Sequence, residues 1–347
     1  MKILRLCFAI ALLFSATVAR AQRSAHYINV GQAESILLEF KTAAVLIDAG
    51  GEDTGDDRDR DHLVAYLNAF FTGRTDLRDS AGRGVIYSLI VSHPHIDHTR
   101  HLMAVMNNFK VKNFVGGGGS TGSGINQYKQ AREFARDHNI VYNRILDSRI
   151  GEEGYTTSLL RALRDPSGVD IRFLSGYRRN CEDENNESVV MRVKYGEAVF
   201  LFTGDAESED DTCDPQISLL LDWYRNTLLD VDVYKVGHHG SPNGTTRDYV
   251  LAMSPQMSVI SAGHHSTRSP GTFHGFHFGH PREDIVSLLE ELTSGTRQPK
   301  DVFTMDAVRT VREPRRIEKA IYCTCWDGDI VISTNEDGTQ LQAQTTQ

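Results

Sequence analysis

Six residues, His93-Pro94-His95-Ile96-Asp97-His98, constrain this chain more than any other stretch. They follow an apolar run, Val85 to Val91, that predicts a buried strand. Three imidazoles and one carboxylate therefore leave a single strand end together. Side chains alternate along an extended backbone, so His93 and His95 point the same way. Asp97 is placed to cap a helix over Thr99 to Asn107. Neutral imidazole and carboxylate are donors that suit zinc, manganese or iron. Packing gives no reason for four such groups in six residues, so the stretch reads as metal binding.

Elements of both kinds surround it. Strands are predicted over His26 to Val30, Ser35 to Phe40 and Ala44 to Ile47, and a helix over His62 to Phe71. A strand over Val111 to Val115, a helix over Ile125 to His138 and a strand over Ile140 to Ile145 follow. The second half repeats the style. Its strands are Asp170 to Leu174, Ser188 to Tyr195, Ala198 to Thr203, Val231 to Val236 and Met257 to Ser261. Its helices are Gln216 to Thr227, Arg247 to Met253 and Glu283 to Thr293. Short strands at Val302 to Met305, Ala320 to Thr324 and Ile330 to Thr334 close the chain. Interleaving of this kind predicts a layered α/β fold, two sheets inside and helices outside. No linker rich in Pro, Gly and Ser divides residues 22–347, which read as one domain.

The chain opens like an export signal. Lys2 and Arg5 precede an apolar stretch, Leu6 to Val18, too short to span a membrane, and Ala19-Arg20-Ala21 is a small-x-small cleavage site. Residues 1–21 are thus the expected leader, and a secreted or periplasmic chain starts at Gln22. Four of the five cysteines remain, Cys181, Cys213, Cys323 and Cys325. An even count in an oxidising compartment favours two disulfides, Cys181–Cys213 and Cys323–Cys325 by nearness in sequence. Removing Lys2, Arg5 and Arg20 from 37 basic residues leaves 34 against 46 acidic ones, a net charge of −12. That balance lacks the overall positive charge of tight nucleic-acid binders and fits a small-molecule or phosphodiester substrate better.

Three further strand ends carry chemistry. Phe200 to Thr203 runs into Gly204-Asp205, Val231 to Val236 runs into Gly237-His238-His239-Gly240, and Val45 to Ile47 ends in Asp48. Taken with Ile28 to Ser35, Ser92 to His98, Asn185 to Val190, Leu201 to Glu207, Lys235 to Ser241 and Gly279-His280-Pro281, these motifs resemble the metallo-β-lactamase superfamily of hydrolases. The resemblance is nearest to the hydrolase-like C-terminal domain of bacterial competence DNA-uptake channels and its free-standing relatives.

The resemblance implies a four-layer αββα sandwich with two zinc ions, or manganese, at the edge of the sheets. His93 and His95 would hold the first ion, and Asp97, His98 and His239 the second. Asp205 would bridge the two, and Asp48 would fix the histidine loop from behind. Asp97, His238 and His280 would be the catalytic groups, the two histidines as phosphate contacts. The order of roles within the His238-His239 pair stays open.

One departure stands out. Most members place a third histidine for the first ion before the strand that leads to the bridging aspartate. Here that position falls near Glu184, Asn185 or Asn186. An amide oxygen suits manganese better than zinc. Asn29 and Ala33-Glu34 also replace an aspartate and a Gly-Asp of the usual pattern, a change expected to affect loop packing. His264, His265, His274 and His277 read as a solvated loop, and His26, His62, His101 and His138 as ordinary surface or core residues.

The expected activity is hydrolysis of a phosphodiester by a metal-activated water. The alternatives are opening of a lactam or lactone ring, and a relic fold that only binds. Retention of His93, His95, Asp97, His98 and Asp205 argues against a relic.

Overall fold

The computed structural model describes residues 23–52, 57–157, 169–179, 181–263, 278–308 and 311–347. The leader over residues 1–21 and His264, His265, His274 and His277 lie outside the described residues.

The first half of the chain forms strands β1 (Ser24–Tyr27), β2 (Ile36–Glu39), β3 (Ala44–Ile47), β4 (Val85–Val91), β5 (Lys110–Gly116) and β6 (Val141–Arg144). The second forms β7 (Val169–Ser175), β8 (Val190–Tyr195), β9 (Ala198–Phe202), β10 (Val233–Lys235) and β11 (Met257–Ile260). The remainder are β12 (Thr296–Met305), β13 (Arg312–Lys319), β14 (Ile321–Cys323), β15 (Ile330–Thr334) and β16 (Leu341–Thr345). An eight-stranded sheet has the order β16-β15-β1-β2-β3-β4-β5-β6, and a six-stranded sheet the order β14-β11-β10-β9-β8-β7. β12 and β13 pair as a separate antiparallel hairpin.

Strand alternation builds the layers. Leu37, Leu46 and Leu89 face outward and pack beneath helices α1 (Arg58–Gly73), α3 (Leu102–Asn108) and α4 (Ile125–Asp137), against Leu67, Val105 and Ala131; the short α2 (Ile96–Thr99) precedes α3. Ile36, Leu38, Val45, Ile47 and Ile90 face the other sheet in the larger core. Tyr27 meets Phe202 across that interface at 6.3 Å between ring centroids, and Phe40 meets Tyr195 at 5.3 Å. Helices α5 (Gln216–Tyr224), α6 (Arg247–Met253) and α7 (Glu283–Leu292) join the same cluster through Leu220, Val250 and Leu289. Burial of each such side chain contributes roughly 1.5–3 kcal/mol. The four-layer sandwich expected from the sequence is the fold observed.

Several boundaries differ. The helix expected over Thr99 to Asn107 is two pieces, α2 and α3, because the His101 N–H is taken by the Ala49 carbonyl at 2.7 Å. His95 occupies the N-cap position of α2 without a side-chain capping hydrogen bond, and Asp97 lies inside the helix. The helix expected to reach Thr227 ends at Tyr224. β13 and β16 escaped sequence reading: Arg312–Lys319 is rich in charge, and Leu341–Thr345 is a polar edge strand, so neither carries an alternating apolar signal.

Both expected disulfides form. Cys181–Cys213 closes a sequence separation of 32 residues that includes Asn185 to Ser188 and Asp205. Loop-closure entropy of that length is worth about 3–4 kcal/mol. The Cys181→Ser/Cys213→Ser protein should lose stability of that order in urea unfolding; an unchanged midpoint would contradict this.

Candidate metal centre

β3 and β4 are parallel neighbours, and so are β9, β10 and β11, so their C-terminal ends open at one edge of each sheet. Asp48 follows β3, Ser92 to His98 follow β4, Asp205 follows β9, and His238 and His239 follow β10. The chain reaches that edge through tight backbone. A Cβ at Gly50 would lie 1.6 Å from the Asp97 carbonyl oxygen, so only glycine fits there. Five described non-glycine residues have positive φ, and three of them, Asp48 (56°), His238 (45°) and His239 (53°), lie here. Strain concentrated in this way marks a site that its surroundings over-determine.

One ligand atom from each of Asp97, His98, Asp205 and His239 lies within 4.8 Å of every other, and all four residues are buried. His98 Nε2 is 3.2 Å from Asp205 Oδ2; His239 Nε2 is 3.4 Å from the same oxygen and 3.2 Å from Asp97 Oδ2. His93 Nε2 approaches Asp205 Oδ2 at 3.9 Å. His93 Nε2 and His239 Nε2 are buried without hydrogen-bond partners.

The other ring nitrogens are engaged. His98 Nδ1–H donates to Asp48 Oδ2 at 2.7 Å, and His239 Nδ1–H to the Ser261 carbonyl at 2.6 Å. His93 Nδ1 lies 3.1 Å from Ser92 Oγ. Each ring is thus oriented with Nε2 facing inward, the arrangement of a histidine prepared to ligate. Asp48 also accepts from the Ser92 N–H and Ser92 Oγ, both at 2.7 Å, and so anchors the loop. The donors fit divalent cations.

The electrostatics agree. Burial, with His98 and His95 nearby, pushes His93 well below the usual histidine range, so it is a neutral donor. Burial opposes charge on His239, but Asp205 and Asp97 outweigh it and push the ring up to about 9. Burial likewise disfavours ionised Asp205, but the surrounding histidines hold it well below the carboxylate range. The metal-free chain therefore holds a proton on His239 at neutral pH that a cation must displace. Zn2+ affinity should rise from about pH 6 to about 9, with net proton release seen by calorimetry in buffers of differing ionisation enthalpy. Affinity independent of pH over that range would contradict it.

The remaining predicted residues sit around this cluster. His95 is displaced toward Glu184, with Nε2 3.4 Å from its Oε2, while its ring stacks edge-on to His93 at 4.7 Å. Of the three residues at the missing-histidine position, Asn186 is spent: its Oδ1 accepts from the Glu207 and Gln216 N–H groups. Asn185 Oδ1 is buried with no hydrogen-bond partner, leaving Asn185 and Glu184 as the candidate donors. His238 Nδ1 lies 2.9 Å from Glu207 Oε1, and its Nε2 is 3.9 Å from Asp205 Oδ2. His280 lies 5.7 Å from His238 and 6.1 Å from His239 between ring centroids. Its Nδ1 accepts from Gln32 Nε2 at 3.0 Å, and Gln32 Oε1 in turn accepts from the Gly263 N–H at 3.1 Å. Sequence reasoning gave no role to Gln32 and Glu207, which lie inside matching motifs, and missed Ser261, which no spacing singles out. It named Lys235 only as the start of a matching motif and gave it no role, although a charge inside the apolar run Val231 to Val236 was a visible signal.

A family model described as the metallo-beta-lactamase superfamily matches residues 28–264. ComE operon protein 3 of Bacillus subtilis (strain 168) is 23% identical over 293 residues, 82% of this chain and 33% of that protein. Competence protein ComA of Neisseria gonorrhoeae is 34% identical over 97 residues, 28% of this chain and 13% of that protein. The chain thus spans a third or less of the length of these relatives. Among solved structures, the metallo-beta-lactamase fold protein YhfI of Bacillus subtilis aligns over 79% of this chain and 94% of its own, with 11% identity and a TM-score of 0.44.

Proposed function

Because the chain belongs to the metallo-β-lactamase superfamily, we propose that it is an exported, metal-dependent phosphodiesterase. The observation that carries this reading is the pair of imidazoles, His238 and His280, that flank the buried cluster of Asp97, His98, Asp205 and His239. A neutral lactam or lactone ring lacks the ionised phosphoryl oxygens of a phosphodiester, which two further imidazoles can bind.

Bound divalent ions would supply a water acidic enough to act near neutrality and would draw off charge developing on oxygen. Asp97, His98, Asp205 and His239 would hold one ion; His93 and His95, with Asp205 shared, would hold the other. His280 accepts from Gln32 at Nδ1, so its own proton sits on Nε2, where it can donate to a phosphate oxygen. Burial disfavours charge on His238, but Asp205 and Glu207 raise its pKa, which keeps it a donor as well. Asp97 is ionised despite burial, because His98 and His239 face it, and it offers a proton acceptor at Oδ2. Donors aimed at developing charge contribute about 10²–10³ in rate each.

Small phosphodiesters are the favoured substrates, since 37 basic residues stand against 46 acidic ones. No helix among the described residues is long and apolar enough to cross a membrane. The two disulfides support an oxidising compartment, and we read the chain as a secreted or periplasmic protein of one domain over residues 22–347, with Gln22 as its first residue after cleavage. The test is turnover of bis-p-nitrophenyl phosphate with Mn2+ or Zn2+ restored, set beside nitrocefin. Phosphodiester turnover that falls about 10²-fold in His238→Gln and His280→Gln proteins is expected. Turnover of nitrocefin alone would replace this reading with ring hydrolysis, and turnover of neither would leave a binding protein.

A further inference from the structure

We infer that Lys235 is a positioning residue for Asp205, holding one oxygen of that carboxylate away from the metal-binding face. The inference rests on the metal-binding reading above.

Lys235 and Glu34 are both 0% exposed and form an ion pair beneath the cluster. Lys235 Nζ also donates to the Gly204 carbonyl at 3.1 Å and lies 3.8 Å from Asp205 Oδ1. The two oxygens of Asp205 therefore face different ways. Oδ2 lies within 3.2–3.9 Å of four imidazole nitrogens. Oδ1 has no hydrogen-bond donor among the described residues and faces only the ammonium. A carboxylate held this way presents a single oxygen to the cations, and the Gly204 bond fixes the turn that carries it.

The pair also crosses the seam between the sheets. Glu34 donates its N–H to the Asp97 carbonyl at 3.0 Å and accepts from the Gly50 N–H at 2.9 Å, so its backbone belongs to the half that carries Asp97 and His98. Lys235 ends β10, opposite Phe202 of β9 and Val259 of β11, in the half that carries Asp205 and His239. Glu34 and Asp205 both supply counter-charge that lets Lys235 stay ionised in a dry site, so the ammonium keeps a carboxylate neighbour when Glu34 is neutralised. Stability alone does not explain such a pair, because neutral groups of similar volume commonly replace buried ion pairs without loss.

The test compares Zn2+ affinity, by competition with a chromophoric chelator, in wild-type, Glu34→Gln and Glu34→Gln/Lys235→Met proteins. The double variant should fold, by near-ultraviolet circular dichroism, and bind Zn2+ about 10–100-fold more weakly, the usual effect of losing an orienting partner. Glu34→Gln, which leaves the ammonium in place, should stay close to wild type. A folded double variant with wild-type affinity, or a Glu34→Gln protein as weak as the double variant, overturns the inference. Should the double variant not fold, Lys235→Arg decides: a folded protein that keeps Zn2+ supports the positioning role, and a folded one that loses it overturns it. Failure of the wild-type protein itself to bind Zn2+ would instead remove the metal-binding reading.

Discussion

Asp205→Ala should yield a folded protein that retains no tightly bound divalent ion and turns over bis-p-nitrophenyl phosphate about a thousandfold more slowly, or not at all. Asp205 is the one described carboxylate whose oxygen meets His93, His98, His238 and His239 together, at 3.2–3.9 Å. A loss of that size corresponds to about 4 kcal/mol of transition-state stabilisation. Because Asp205 also supplies counter-charge to His98 and His239, the metal-free variant should hold fewer protons in the site than the metal-free wild type. Elemental analysis beside the rate measurement checks both parts. A variant with full metal content and full rate would show that the carboxylate is not a ligand.

Asp48→Ala should cost stability rather than chemistry alone. Asp48 is fully buried and accepts three hydrogen bonds, from the Ser92 N–H, Ser92 Oγ and His98 Nδ1, each at 2.7 Å. Burial opposes a charge on His98, yet Asp205 and Asp48 together raise its pKa well above the histidine range. Removing Asp48 leaves a buried imidazolium short of its partner and a buried backbone N–H without an acceptor. Breaking one side of such a pair costs about 3–5 kcal/mol. The linkage has a definite sign. His98 is raised in the folded state, so its contribution is fully present below the unfolded histidine pKa and is lost as pH rises through the folded value. Urea unfolding of the metal-free protein should therefore show the largest Asp48→Ala deficit at mildly acidic pH, narrowing in alkali. A deficit that grows steadily with pH would contradict the pairing.

The ligand-bearing loops were legible because each follows an apolar run. Val85–Val91 and Ala44–Ile47 begin and end where the sequence placed them, and the polar residues after them had nowhere to go but the sheet edge. His93, Asp97, His98, Asp205 and His239 converge as the strand ends require. What stayed hidden depends on partners that leave no periodic trace. The Ser261 carbonyl that orients His239 is backbone, and the Glu34 that looked like a loop substitution proves to be the partner of Lys235. Asn186, one of three candidates for the missing ligand, is excluded only by the two N–H groups its oxygen accepts. Helix α3 begins late because a tertiary hydrogen bond to Ala49 takes over at His101, which local propensity cannot foresee.

The most direct test of the whole account is anomalous diffraction from crystals of the purified protein grown with Mn2+ or Zn2+. A peak enclosed by the carboxylates of Asp97 and Asp205 and by Nε2 of His98 and His239 is the predicted result. Clear density for these four side chains with no anomalous signal among them, while the ion occupies some other part of the surface, would contradict it.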